Sequence, residues 1–308
     1  MYELRNMKGS DSHEIEKIWR TAFESKFLVS DHKLEYCLFE DPDLYLEGCF
    51  ICQDQSSQEL IGMIAVKVSG EKQIYPDTAW ISMFFVVEKY QGKGIGTNLY
   101  KEAEQALRKI GVKTIYIGQD YRYLFSGIPA PLSYKESFFK KLGFDINEAE
   151  HYDLEGNIIV NNKIDEFEVS HFEKDFFTET LREEDTEKLY SFLKQEFPGR
   201  WELEAAAYLQ ENGEKSHIVV LKDRLDSSVK GYCMLSVEAG MQGSLGPIGI
   251  ASAVRGKKVG DYILQQSLLQ LRRLGVETVY INWTILKDFY AKFNFAPFRI
   301  YRSAYKEI

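Results

Sequence analysis

GKGIGTNLYKEAEQALRKIGVKTIYI, residues 92–117, and GKKVGDYILQQSLLQLRRLGVETVYI, residues 256–281, align without a gap when residue n is placed beside residue n+164. A period this long exceeds any solenoid repeat, so each copy is read as a whole domain. Both copies run in the same order. An apolar strand (80–87; 245–250) enters a basic, glycine-containing turn, and an amphipathic helix follows (97–110; 261–274). Gly111 and Gly275 stand where a helix C-cap belongs, before the buried strands 114–117 and 278–281. Another helix ends in FFKKLGF (138–144) and FYAKFNF (289–295), and the first copy carries 13 extra residues before it, around YLFSGIPAPLS.

Working outward, 10–23 and 182–197 read as amphipathic first helices, each with further helical sequence behind it. Strand pairs come next, 45–53 with 60–68 and 217–222 with 230–237. The expected fold class is therefore α/β with mixed sheets, as two tandem domains at 1–165 and 166–308. The polar, acidic stretch 148–174 is expected to join them.

The chain has 308 residues, 44% of them hydrophobic, which suffices for two cores. No apolar run reaches the roughly 20 residues that span a bilayer, and MYELRNMKGSDSHEIEK lacks a signal-peptide block, so a cytoplasmic protein without a membrane partner is expected. The net charge of -9 argues against a nucleic-acid partner, which needs an extended basic face. The acidity lies in the first half: residues 1–170 hold 19 Lys and Arg against 28 Asp and Glu, and the remainder balances at 19 against 19. Cys49-Phe-Ile-Cys52 has redox spacing but sits in a strand-like run, and with Cys37 and Cys233 it reads as reduced packing residues. The histidines at 13, 32, 151, 171 and 217 lack zinc-ligand spacing, so no metal is expected.

A strand feeding a turn of convergent backbone N–H groups, followed at once by a helix N-terminus, forms an anion site. Gln91-Gly92-Lys93-Gly94-Ile95-Gly96 supplies small residues where a ligand approaches the backbone, with Lys93 for charge. Arg255-Gly256-Lys257-Lys258-Val259-Gly260 repeats it, with Lys258 in place of a glycine. A side chain there is tolerated if Lys258 takes right-handed helical dihedrals, and its charge would favour phosphate.

These loops resemble the Arg/Gln-x-x-Gly-x-Gly/Ala signature of the GNAT N-acetyltransferase superfamily, and the approach Val86-Val87-Glu88-Lys89-Tyr90-Gln91 is similar too, with Glu88 where proline is common. The ending RIYRSAYKEI and the segment INWTILKDFYAKFNF resemble bacterial two-domain GNAT proteins, including glucosamine or glucosaminide N-acetyltransferases. The resemblance implies two GNAT (acyl-CoA N-acyltransferase) domains that hold the pyrophosphate of acetyl-CoA on these loops, and a direct transfer to a small-molecule amine acceptor, with an amino sugar as the leading candidate and another amine (an aminoglycoside, a polyamine or a protein lysine) or a non-enzymatic acyl-CoA sensor as the alternatives. Backbone amides near Phe85, Val86 and Val87, and near Ile248, Gly249 and Ile250, would serve the thioester carbonyl, and Asn282 would bond the pantetheine arm. The family's proton-donating tyrosine falls on Tyr290, where the first copy has Phe139. Asp288 is a candidate to hold or deprotonate the ammonium, and Trp201, Glu202 and Trp283 are candidates to contact the acceptor. The expected division of labour is a cofactor-binding, non-catalytic first domain and a catalytic second one.

Overall fold

In the computed structural model, which describes residues 1–22, 27, 31–70, 74–130, 133–211, 213–238 and 240–308, each copy of the repeat folds in the order the sequence predicts. The first 157 residues form β1 (Tyr2–Asn6), α1 (Ser12–Ala22), α2 (Asp31–Leu34), β2 (Phe50–Asp54), β3 (Leu60–Val68), β4 (Thr78–Val86), α3 (Ile95–Lys109), β5 (Thr114–Ile117), β6 (Ile128–Pro129), α4 (Ser133–Lys141) and β7 (Asp145–Asn157). The remainder forms α5 (Asn162–Asp165), β8 (Phe176–Thr180), α6 (Thr186–Glu196), α7 (Arg200–Gln210), β9 (Ile218–Asp223), β10 (Val229–Glu238), β11 (Gln242–Ile250), α8 (Val259–Arg273), β12 (Thr278–Thr284), α9 (Lys287–Ala291) and β13 (Ala296–Glu307).

Local chemistry accounts for the repeated core. β3, LIGMIAVKV, is buried along nearly its whole length, as a central strand covered on both faces must be. α3 buries Ile95, Leu99, Tyr100, Ala103, Ala106 and Leu107, one stripe at helical spacing. α3 and α8 end in the same Schellman motif. Gly111 and Gly275 both have φ +83, their amides reach Arg108 O and Arg272 O, and the amides of Val112 and Val276 reach Leu107 O and Leu271 O.

Two compact units result, but the division differs from the expected 165/166 boundary. One unit is Met1–His151 with Arg299–Ile308, and the other is Tyr152–Phe298. In the first, strands run β1-β2-β3-β4-β5-β13; in the second they run β8-β9-β10-β11-β12-β7. The chain's last strand pairs with β5, Tyr305 opposite Tyr116. β7 pairs with β12, Leu154 opposite Ile281. Each sheet thus takes its sixth strand from the other half of the sequence. The stretch 148–174 is correspondingly not a free linker: it contains the end of β7 and α5, and it is tied down by Asn161 Nδ2 donating to Phe293 O (2.6 Å) and Gln265 Nε2 donating to Ile164 O (3.0 Å).

Candidate active site

The two glycine-containing loops have the same construction. A short 3₁₀ turn follows the strand, Glu88–Tyr90 in one unit and Ser252–Val254 in the other. Gln91 Nε2 then donates back to Val86 O (2.8 Å), and Arg255 Nε donates to the matching Ile250 O (3.1 Å). The first residue of each motif is therefore a staple between loop and strand. Gly92 and Gly94 have φ +73 and +80, and Gly256 and Lys258 have φ +79 and +60. Alternating left-handed residues turn successive amides to one side, the arrangement of an anion nest. Nothing lies within 4 Å of a Cβ built on Gly92, Gly94 or Gly256, so the space beside each of these glycines is open. Behind it, Ile95 and Val259 are buried, and Gly96 and Gly260 admit the rings of Phe138 and Phe289.

Lys258 corrects one expectation. It is left-handed (φ 60, ψ 13), as Gly94 is (φ 80, ψ -4), and not right-handed. The nest needs that conformation, so lysine carries a backbone cost of about 1 kcal/mol that glycine avoids. Its ammonium still adds positive charge at the helix N-terminus, where an anion is already favoured.

Next to each loop the sheet opens. β4 and β5 pair in parallel from Thr78 opposite Thr114 to Ile81 opposite Ile117, and β11 and β12 pair only from Gln242 opposite Thr278 to Ser244 opposite Tyr280. A bulge marks the start of each gap, at Ser82 in the first unit and at Gly246-Pro247 in the second. On its other side β4 remains paired with β3, and the Val87 amide donates to Ile61 O at 2.9 Å. The Ala251 amide likewise donates to Lys230 O at 2.8 Å. Because amides alternate along an antiparallel strand, those of Val86, Ile248 and Ile250 face the gap, while Phe85, Val87 and Gly249 face the neighbouring strand. The gap therefore presents every second amide of the expected set.

Tyr290 is the buried residue of α9. It is 4% exposed, beside Thr284 and Cys233, and burial raises its pKa above the ordinary tyrosine value. The phenol is thus held neutral, as a proton donor must be. Its counterpart Phe139 is also buried and has no proton to give. Asp288 is exposed in the first turn of α9 and is not brought beside Tyr290. Asn282 is half-buried on β12.

Trp283 is left-handed (φ 52), with its amide bonded to buried Asp153 Oδ1 (3.0 Å) and its ring 4.9 Å from the Arg200 guanidinium. Arg200 in turn bonds Glu204 Oε1 at 2.6 Å. Trp201 packs on Phe197 (ring centroids 4.9 Å) and Tyr232, and Glu202 accepts from the Gly199 amide at the start of α7. Trp201 and Glu202 thus have packing and capping partners. Glu204, Asp153 and Tyr232 carried no site expectation from the sequence. The i, i+4 spacing of Arg200 and Glu204 was a visible signal; Asp153 lies 130 residues from Trp283 and gave none.

The first unit differs in chemistry as well as at Phe139. Trp19 stacks on Phe125 of the inserted segment at 5.4 Å, and Phe27 meets the same ring. Behind them Lys67, fully buried on β3, pairs with Asp41 (2.8 Å) and with Asp120, which also accepts from Ser82 Oγ (2.8 Å). At the matching strand position the second unit has exposed Ser236. All four cysteines are buried, and burial pushes Cys37 and Cys52 up to about 11 and Cys49 and Cys233 up to about 12, which leaves little nucleophilic thiolate. Among the described residues no cluster of His, Cys, Asp and Glu side chains gathers as a metal site would, and no helix is long and apolar enough to cross a membrane.

Comparison with known proteins agrees with this geometry. The profile described as Acetyltransferase (GNAT) family matches residues 12–123 and again 186–295. The chain belongs to the GNAT family and is an N-acetyltransferase built from two GNAT repeats. Members of this family use acetyl-CoA. Among solved structures, the chain shares its fold with a fungal protein described as a GCN5-related glucosamine N-acetyltransferase region of a multi-domain GH3 β-N-acetylglucosaminidase (TM-score 0.86, 21% identity, 99% of this chain covered). This chain spans 38% of that one. It is also similar to a GCN5-related N-acetyltransferase from Sphaerobacter thermophilus (TM-score 0.78, 15% identity, 99% of this chain and 95% of that chain). A tandem GNAT protein from the clavulanic acid biosynthesis pathway gives TM-score 0.70 at 13% identity, over 100% of this chain and 98% of that one. Comparison with curated protein sequences finds no match.

Proposed function

We propose that the second unit transfers acetyl from acetyl-CoA to the primary amine of an amino sugar, and that the first unit binds the cofactor without transferring it. The observation that carries this reading is a buried tyrosine, Tyr290 beside Thr284 at the end of β12, where the first unit has Phe139 lining the gap between β4 and β5. The open nests on both loops fit a pyrophosphate, with Lys257 and Lys258 adding charge in one and Lys93 in the other.

Acetyl-CoA supplies the acetyl group as a thioester, whose carbonyl carbon accepts the amine nitrogen and whose sulfur departs as a thiolate. The gap-facing amides of Ile248 and Ile250 are the donors available to a carbonyl oxygen gaining charge. Tyr290 donates its phenolic proton to the departing sulfur, and the proton lost by the amine re-forms the neutral phenol by way of solvent. Trp283 under Arg200, with Glu204 beside it, offers a flat face and polar rim suited to a sugar ring. The fungal structure with the same fold, described as a glucosamine N-acetyltransferase region, supports the choice of acceptor.

The test is release of free CoA thiol from acetyl-CoA with a panel of amines: glucosamine, a glucosaminide, an aminoglycoside, a polyamine and a lysine peptide. Glucosamine or its glycosides are expected to turn over fastest. A faster polyamine or peptide would replace the acceptor assignment, and full activity in Tyr290→Phe would remove catalysis from the second unit.

A further inference from the structure

The first unit contains a cavity of about 100 Å3 that lies in the gap between Ile81–Phe84 of β4 and Ile117 of β5 with Gly118 after it. It passes Phe139 and ends against Trp19, Phe27, Phe125 and Ile128. Two of those end walls, Phe125 and Ile128, come from the 13-residue insertion that the second copy lacks. The polar exceptions in the lining are Ser82 and Lys135. Ser82 Oγ is already committed as a donor to Asp120, which is itself paired with Lys67. Among the described residues no carboxylate lines the cavity, so a cationic amine finds no counter-charge from them there.

We propose that this cavity is the seat of an apolar acyl chain of about four carbons, making the first unit a site for a short-chain acyl-CoA in preference to acetyl-CoA. The proposal rests on the reading that loop 91–96 holds the pyrophosphate, which sets the thioester end of the molecule in the same gap. The size follows by scaling. A 150 Å3 apolar cavity accepts the six carbons of benzene, so 100 Å3 accommodates roughly four. A buried methylene contributes about 0.8 kcal/mol, or roughly 4-fold, so extending acetyl to butanoyl should tighten binding about 15-fold. Phe139 contributes wall where Tyr290 contributes a proton, which suits a site that holds an acyl group without passing it on.

The experiment is calorimetric titration of the full chain carrying Lys257→Glu and Lys258→Glu, which weakens the second loop and isolates the first site. Probes are free CoA, acetyl-CoA, butanoyl-CoA, the thioether S-butyl-CoA and decanoyl-CoA. Butanoyl-CoA and S-butyl-CoA are expected to bind about 15-fold more tightly than acetyl-CoA, with the gain lost for decanoyl-CoA. Ile128→Trp, which fills the cavity, should bring butanoyl-CoA down to the affinity of acetyl-CoA while leaving free CoA unchanged. Phe139→Ala should shift the optimum to a longer chain, which provides a readout if the tryptophan variant does not fold. Equal affinity for acetyl-CoA and butanoyl-CoA would overturn the acyl proposal and leave the cofactor role intact. Failure of every probe, free CoA included, would overturn the cofactor role of loop 91–96 and the proposal with it.

Discussion

The two gaps in the molecule share a backbone and differ in what lines them. Around β4 and β5 stand Phe139, Trp19 and Phe125, backed by the buried Lys67, Asp41 and Asp120. Around β11 and β12 stand Tyr290, Thr284 and Cys233, with Trp283, Arg200 and Glu204 nearby. The loops differ in the opposite sense, since the better-formed nest, with glycine at its left-handed position, belongs to the gap without a proton donor. On the proposed reading binding and chemistry are separable, with cofactor affinity resting on backbone conformation and catalysis on one hydroxyl.

The largest expected effect tests that hydroxyl. Tyr290→Phe should lower kcat by about 100-fold or more while leaving the acetyl-CoA Kd within about 2-fold, because general-acid catalysis contributes 10² to 10⁴. Adding Phe139→Tyr to that variant should not restore turnover, since the first cavity lacks the polar acceptor groups; recovery of activity would make the two gaps interchangeable. Lys67→Met should destabilise the first unit by about 3–5 kcal/mol, because two buried carboxylates lose their shared cation. Thermal unfolding should show this as loss of the first unit's transition, and an unchanged melting profile would remove the network from the contrast.

Alkaline stability gives a smaller effect. Burial raises the pKa of both Tyr290 and Tyr232, which lies fully buried on β10. Their contribution is complete below the unfolded tyrosine pKa of about 10 and is lost as pH rises towards the folded value. At pH 11 each should cost about 1.4 kcal/mol, and Tyr290→Phe should relieve its share in a denaturant titration. A pH dependence unaltered by the substitution would contradict the burial of that phenol. Smallest is Lys258→Gly, expected to stabilise the second unit by up to about 1 kcal/mol through relief of the left-handed conformation, while weakening the second loop's hold on CoA by removing a charge. Loss of stability in that variant would mean that the ammonium, and not the backbone, decides the position.

Much of this was legible without a structure. The repeat shows itself at an offset of 164, and within each copy the loop, the C-cap and the Phe139 or Tyr290 position fall within 60 residues of one another, where spacing alone imposes geometry. The alternation of amides in the gap was not legible, because it depends on which neighbour a strand keeps. The left-handed conformation of Lys258 was not legible for a related reason: the turn of the loop sets it, and not the residue type. Trp201 and Glu202 were singled out for their chemistry, but packing on Phe197 and capping at Gly199 account for the contacts they make.

The sequence by itself determined that the chain has two α/β units with a glycine-containing strand-to-helix turn in each, since glycine placement and hydrophobic period are local properties of the backbone and its burial. Tertiary structure alone decided which strand completes which sheet. β7 and β13 carry no mark of their destination, because a strand's hydrogen-bonding edge is the same whichever partner it meets, and only the fit of side chains across the pairing selects one. That selection moved the division from 165/166 to His151, placed Arg299–Ile308 in the first unit, and set Asp153 against the amide of Trp283.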